Sequence, residues 1–287
     1  MLKYILFACA SIVFSNCSTD TQAKQKPKET TFIPTPQTPV IHPLENTIKD
    51  RFDTPNGYKR TDEKSNSFAL FLRNLPLKPD GEKVTYYDGE KKLDDDVYIA
   101  VVNLPIGKKD LHQCADAVMR LRMDYLYDQE RFDEIHFNFT NGFQVDYSEY
   151  MKGKRMVVSG NKTYWKSSKS PSNTSQDFTK YKELIYMYAG TLSLSRELKS
   201  ISISDIKIGD IFIQGGSPGH AIIVVDMAVN NANEKVFMLA QSYMPAQEIQ
   251  VLINPMYPEM SPWFAIKGSD YLHTPEWNFD WEDLKTF

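Results

Sequence analysis

A thiol, an imidazole and a carboxamide are the groups in this chain whose types and order could do chemistry: Cys114, His220 and Gln241. A cysteine attacks as its thiolate, so a nucleophilic one needs surroundings that favour the anion. Cys114 follows Asp110-Leu111-His112-Gln113, where Asp110 reads as a helix N-cap and Gln113, three residues on, as its capping-box partner. The thiol then falls in about the first helical turn, beside free backbone N–H groups and the positive end of the helix dipole. His220 ends the run Gly215-Gly216-Ser217-Pro218-Gly219 and directly precedes Ala221-Ile222-Ile223-Val224-Val225. A glycine-rich turn of this kind holds an imidazole at the mouth of a strand, where it can act as a general base. Gln241, in the next apolar stretch, is placed to fix the tautomer of that imidazole through a side-chain hydrogen bond.

The elements that must position these groups are legible in the spacing. Residues 110–127 read as the clearest helix, with Cys114, Val118, Leu121 and Tyr125 along one face. Residues 210–214, 221–228 and 236–243 read as three successive strands, and 96–102 as a further buried strand. Ser67 to Leu75 reads as a short helix, and 178–198 as a longer one. Segments 135–140 and 143–147 flank Asn141-Gly142, the strongest two-residue hairpin signal. Helices and hairpins segregated in this way imply an α+β fold on an antiparallel sheet.

A cysteine early in a helix, then Gly209-Asp210 opening a strand, Gly219-His220 opening the next and a polar residue on a third together resemble the papain-like cell-wall hydrolases of the NlpC and CHAP types. The resemblance covers 110–127 and 206–243. It implies a papain-like core with Cys114 as nucleophile, His220 as base and Gln241 as the orienting residue. The long separation of Cys114 from His220 makes 130–205 an insertion in that core. Gln113-Cys114-Ala115-Asp116 stands where the family carries an Asp-Cys-Ser type of motif. As a whole, the chain resembles uncharacterised envelope lipoproteins of Gram-negative gut anaerobes, through Asn74-Leu75-Pro76-Leu77-Lys78-Pro79, Asn138-Phe139-Thr140-Asn141-Gly142-Phe143 and Ala240-Gln241-Ser242-Tyr243-Met244-Pro245-Ala246-Gln247.

Each residue also has a plainer reading. Cys114 shares the apolar stripe of its helix and fits a buried, inert thiol. His220 fits a satisfied loop histidine, and Gln241 alone signifies little. His112 lies close to Cys114, but no CxxC, HExxH or clustered-carboxylate spacing accompanies it, so neither a metal nor another cofactor is expected. Asp94-Asp95-Asp96 reads as a solvated turn. Tyr257, Trp263, Phe264, Tyr271, Trp277, Phe279 and Trp281 crowd the C-terminal part; some complete the core, and exposed members suit a stacking platform for sugars or peptides.

The start of the chain sets the expected compartment. Lys3 and the apolar run Tyr4 to Phe14 have the form of an export signal, too short for a permanent membrane helix. Ser15-Asn16-Cys17 resembles a lipobox, which implies cleavage after residue 16, acylation of Cys17 and anchorage to the cell envelope. Residues 18–45, with Lys26-Pro27-Lys28 and Ile33-Pro34-Thr35-Pro36, read as an extended proline-rich tether, leaving 46–287 as a single domain. Of the 3 cysteines, Cys9 and Cys17 belong to the export segment, so Cys114 has no partner for an internal disulfide. The net charge of −4 argues against nucleic acid as a partner. The expectation is thus an envelope-anchored cysteine amidase or endopeptidase acting on cell-wall peptides. Its rivals are a non-catalytic lipoprotein binding a peptide, glycan or protein on the same scaffold, and an assembly factor with no cleft at these residues.

Overall fold

The computed structural model describes residues 38–94, 96–266 and 269–287. The leader 1–17 and most of the tether expected over 18–45 therefore lie outside the described residues. The last residues of that tether are tied into the fold by backbone pairing: His42 N–H donates to Arg51 O at 2.8 Å and Asp53 N–H to Val40 O at 2.9 Å.

Short polar caps begin the first helices. The Thr47 hydroxyl accepts from Asp50 N–H at 3.2 Å ahead of α1 (Ile48–Arg51), and Ser67 from Leu70 N–H at 3.1 Å ahead of α2 (Phe68–Arg73). Between them lies β1 (Tyr58–Arg60), and after them β2 (Tyr98–Val101). Helix α3 (Cys114–Asp128) starts later than Asp110 would place it. Gln113 is the N-cap, because its N–H donates to the carboxylate of Asp116 at 3.0 Å; Cys114 is thus the first helical residue.

The stretch 130–205 holds hairpin β3 (His136–Asn138) and β4 (Gln144–Asp146), then α4 (Tyr147–Met151), then hairpin β5 (Lys154–Ser159) and β6 (Lys162–Ser167). Both hairpins stand apart from the main sheet. In the first, Phe139 N–H reaches Phe143 O at 2.9 Å and Gly142 N–H reaches Phe139 O at 2.8 Å, so the loop has three residues rather than two. Gly142, at φ +85°, supplies the left-handed residue that such a loop needs. The helix expected over 178–198 is instead two, α5 (Ser175–Tyr188) and α6 (Thr191–Glu197), interrupted at Ala189-Gly190. Ala189, the extended C-cap of α5, ends the first helix, and the extended Gly190 is the N-cap of α6.

The remaining strands are β7 (Lys199–Ser200), β8 (Ile211–Gln214), β9 (His220–Asn230), β10 (Lys235–Gln241), β11 (Gln250–Leu252), β12 (Trp263–Ala265), β13 (Tyr271–His273), β14 (Asn278–Asp280) and β15 (Leu284–Thr286). The main sheet runs β2-β11-β10-β9-β8-β15-β7, with β1 also on β9 and β12 also on β10; β13 and β14 form a separate hairpin. Every pairing is antiparallel. The fold is α+β, as the pattern of elements implied. His220 to Ala228 are all buried on β9, the burial of a strand covered on both faces. Helices α2 and α3 pack on that strand. Aromatic rings Phe212, Phe237, Phe264, Phe279 and Trp281 form a continuous chain of contacts about its neighbours.

Candidate functional site

The three residues singled out in the sequence reach the site from three elements: Cys114 at the start of α3, His220 at the start of β9 and Gln241 at the end of β10. Antiparallel pairing of β9 with β10 brings the last two together. His220 Nε2 lies 2.8 Å from Gln241 Oε1, with both side chains buried. An amide oxygen only accepts, so Nε2 carries the ring proton and the neutral ring keeps its lone pair on Nδ1.

Glu276 fixes the direction of that amide. Gln241 Nε2 donates to Glu276 Oε2 at 2.6 Å. A carboxylate can only accept, so the NH2 end of Gln241 must face Glu276 and its oxygen must face the histidine. Glu276 Oε1 in turn accepts from the buried Lys92 Nζ at 2.7 Å. A polar line therefore runs Lys92–Glu276–Gln241–His220. Glu276 and Lys92 were not apparent in the sequence: Glu276 sits in the turn between β13 and β14, Lys92 far upstream, and neither carries a local motif.

The thiol lies toward the start of the same strand, β9. The Cys114 sulfur lies close to the backbone of Ala221, the residue after His220, and of Ala115 in its own helix. Two further ties hold the helix start. Asp110 is not the cap; its Oδ1 accepts from Ala246 N–H at 2.7 Å and from Gln113 Nε2 at 3.2 Å. Ser242 Oγ donates between the carbonyls of His112, at 3.0 Å, and Gln247, at 2.7 Å. The loop after β10 thus clasps the residues before Cys114.

Three aromatic side chains enclose the imidazole: Tyr243, Trp277 and Phe279, with ring centroids 4.9, 5.4 and 5.9 Å from it. Trp277 is held by its indole N–H, which donates to Gln214 Oε1 at 3.0 Å. Of the aromatic residues that crowd the C-terminal part, Trp277 and Phe279 pack against the histidine. The electrostatic consequence is neutrality. Burial pushes the Cys114 thiol up to about 11, against the opposing effect of the nearby N–H groups. Burial brings His220 down to about 4, against its bond to Gln241. The helix dipole and the exposed N–H groups of the first turn do not outweigh desolvation while the site is covered. Asp116, two residues along, is also buried and raised to about 8.

Among the described residues no helix is long and apolar enough to cross a membrane. Comparison with curated proteins and with solved structures finds no match in either set. A family model described as a domain of unknown function, DUF4846, matches residues 48–286. That span takes in the clasping loop after β10, Cys114, His220, Gln241 and the turn carrying Glu276, and the chain belongs to the DUF4846 family.

Proposed function

We propose that this is a papain-like cysteine hydrolase that cleaves amide bonds in cell-wall peptides. One observation carries the reading: a line of acceptor and donor groups leaves His220 with its proton on Nε2 and its lone pair on Nδ1, and the backbone of the following residue, Ala221, borders a thiol at a helix N-terminus. In the reaction His220 Nδ1 takes the thiol proton as sulfur attacks the carbonyl carbon of the amide. Nδ1 then gives that proton to the departing amine, leaving a thioester. Water, deprotonated by the same nitrogen, attacks the thioester and releases the acid and the thiol. With thiol and imidazole both neutral in the covered site, proton transfer accompanies attack, or the Trp277 turn moves aside first.

A second reading has its own support. The burial of the thiol and its displacement to about 11 suit a scaffold that binds a peptide, glycan or protein partner without chemistry. Alkylation separates the two. For a hydrolase, iodoacetamide at neutral pH labels Cys114 faster than free cysteine, and His220→Ala slows the labelling by about tenfold or more. Slow labelling that is indifferent to His220 overturns the hydrolase and leaves the binding scaffold. The lipobox-like Ser15-Asn16-Cys17 supports anchorage to the cell envelope through a lipid on Cys17. Unchanged membrane fractionation of Cys17→Ala would dismiss the anchor.

A further inference from the structure

A second polar constellation lies just before the thiol, and the proposed chemistry does not use it. His112 is 1 % exposed. Its Nδ1 lies 3.2 Å from Gln247 O, and since a carbonyl only accepts, Nδ1 carries the proton. The lone pair is therefore on Nε2, a buried atom with no hydrogen-bond partner among the described residues. Such an acceptor, removed from water and unpaired, is costly to leave unmet.

His112 forms part of the wall of a cavity of about 360 Å³, with Arg120, Lys182, Tyr186, Pro105 and Ile106. That volume lies within the ~300–1,000 Å³ of small-molecule sites. Two cations enter it on one carboxylate: Arg120 Nε meets Asp124 Oδ2 at 3.1 Å and Lys182 Nζ meets Asp124 Oδ1 at 2.6 Å. Glu183, also in the wall, is paired with Lys109 at 2.7 Å. Arg120 and Lys182 thus share one ion-pair partner, with Asp128 acting on Lys182 from further off, and both cationic side chains are largely withdrawn from solvent. The same surroundings keep His112 neutral: burial first, then the charge of Arg120, hold it down to about 3. It is an acceptor throughout the physiological range.

A ligand that completes this site needs an anionic group for Arg120 and Lys182, a hydrogen-bond donor close to that group for His112 Nε2, and a small apolar part for Tyr186, Pro105 and Ile106. We infer that the cavity binds an N-acylated amino acid carboxylate, the chemistry of a peptide's C-terminal residue. Its carboxylate pairs with the two cations, and its amide N–H donates to His112 Nε2 as the cavity wall parts around that shielded atom. This inference does not depend on the thiol being reactive.

The test uses the mature chain and the probe N-acetylalanine, in both enantiomers, by calorimetric titration. Saturable binding of at least one enantiomer is expected. N-acetylalanine amide, which lacks the carboxylate, and propionate, which lacks the N–H, should each bind about tenfold more weakly or worse. Lys182→Met should weaken binding by at least about tenfold. His112→Phe should weaken it too, and Lys182→Met keeps the test valid if that buried substitution harms folding. Cys114→Ala should leave the titration unchanged, so that failure of the hydrolase and failure of this site are read separately. No saturable binding of either enantiomer, or equal binding of the amide, overturns the inference.

Discussion

The two ends of strand β9 each carry a buried polar network, and they are built on different rules. At the far end Asp226, fully buried, accepts from Arg60 Nε at 2.7 Å, from Arg73 Nε at 2.6 Å and from Met227 N–H at 2.8 Å. Arg73 also donates to Thr61 O at 2.8 Å, and Arg60 to Phe52 O. Both carboxylate oxygens are bonded and paired with cations, and the result locks β1 and α2 onto β9. At the near end the line Lys92–Glu276–Gln241–His220 stops at an imidazole whose Nδ1 is not engaged by it, on a strand start that also borders a neutral thiol. The first network spends every bond on holding elements together. The second holds one side chain in one protonation pattern and leaves an atom over for chemistry. Saturation marks a structural cluster; an ordered line with a free end marks a site.

The comparison is broken most directly at the saturated end. Asp226→Asn removes the charge shared by the buried guanidinium of Arg73 and the half-buried one of Arg60. Its expected cost is ~3–5 kcal/mol, the range for an uncompensated buried charge. Urea denaturation measures it, and a loss under about 1 kcal/mol would show the cluster to be no more structural than the near end.

Acid sharpens the contrast at the near end. His220 titrates near 6.5 in the unfolded chain and near 4 in the fold, displaced by burial. Above pH 6.5 the group is neutral in both states and contributes no pH dependence. As pH falls below 6.5 the unfolded chain takes up a proton that the fold refuses, so stability declines until about pH 4 and then levels. The expected loss is about 3 kcal/mol, at 1.36 kcal/mol per pH unit of displacement. His220→Gln keeps an N–H for Gln241 but cannot titrate, so its stability should fall that much less between pH 7 and pH 4. Asp116, raised to about 8, acts in the opposite sense, losing stability as pH rises, and cancels in the difference between the two proteins. Parallel curves would mean that water reaches His220 freely.

What was legible in the sequence follows the range of the physics involved. The helix bearing Cys114, the strands bearing His220 and Gln241, and the short helix after Ser67 rest on contacts within a few residues or on burial periodicity, and all lie within a few residues of where the pattern put them. The cap at Gln113 was misplaced because both Asp110 and Gln113 satisfy the local pattern. Ala246 N–H decides between them by engaging Asp110, and that partner comes from another part of the chain. The break at Gly190 was hidden by the apolar spacing that continues through it. Glu276 and Lys92 could not be found at all, because the turn after β13 reaches Gln241 only once the sheet has formed. The site's reactive atoms are therefore local in sequence, while the groups that set their protonation are not.

Glu276→Gln tests that last point with the smallest change. The carboxylate is the only reason the Gln241 amide must present its oxygen to His220. A glutamine at 276 can offer its own oxygen to Lys92 and its NH2 to Gln241. Gln241 can then turn over, giving its oxygen to residue 276 and its NH2 to His220 Nε2. The imidazole proton moves to Nδ1, and the nitrogen available to the thiol no longer has a lone pair. Stability should fall by only ~1–2 kcal/mol, the worth of a charge-assisted hydrogen bond. Alkylation of Cys114, read beside it, should slow several-fold, and Glu276→Asp, which keeps an acceptor-only group, should restore part of the rate. A stability loss of that size with an unchanged rate would make Glu276 merely the anchor of Lys92. The near end of β9 would then be a structural cluster like the far one, and the thiol beside it inert.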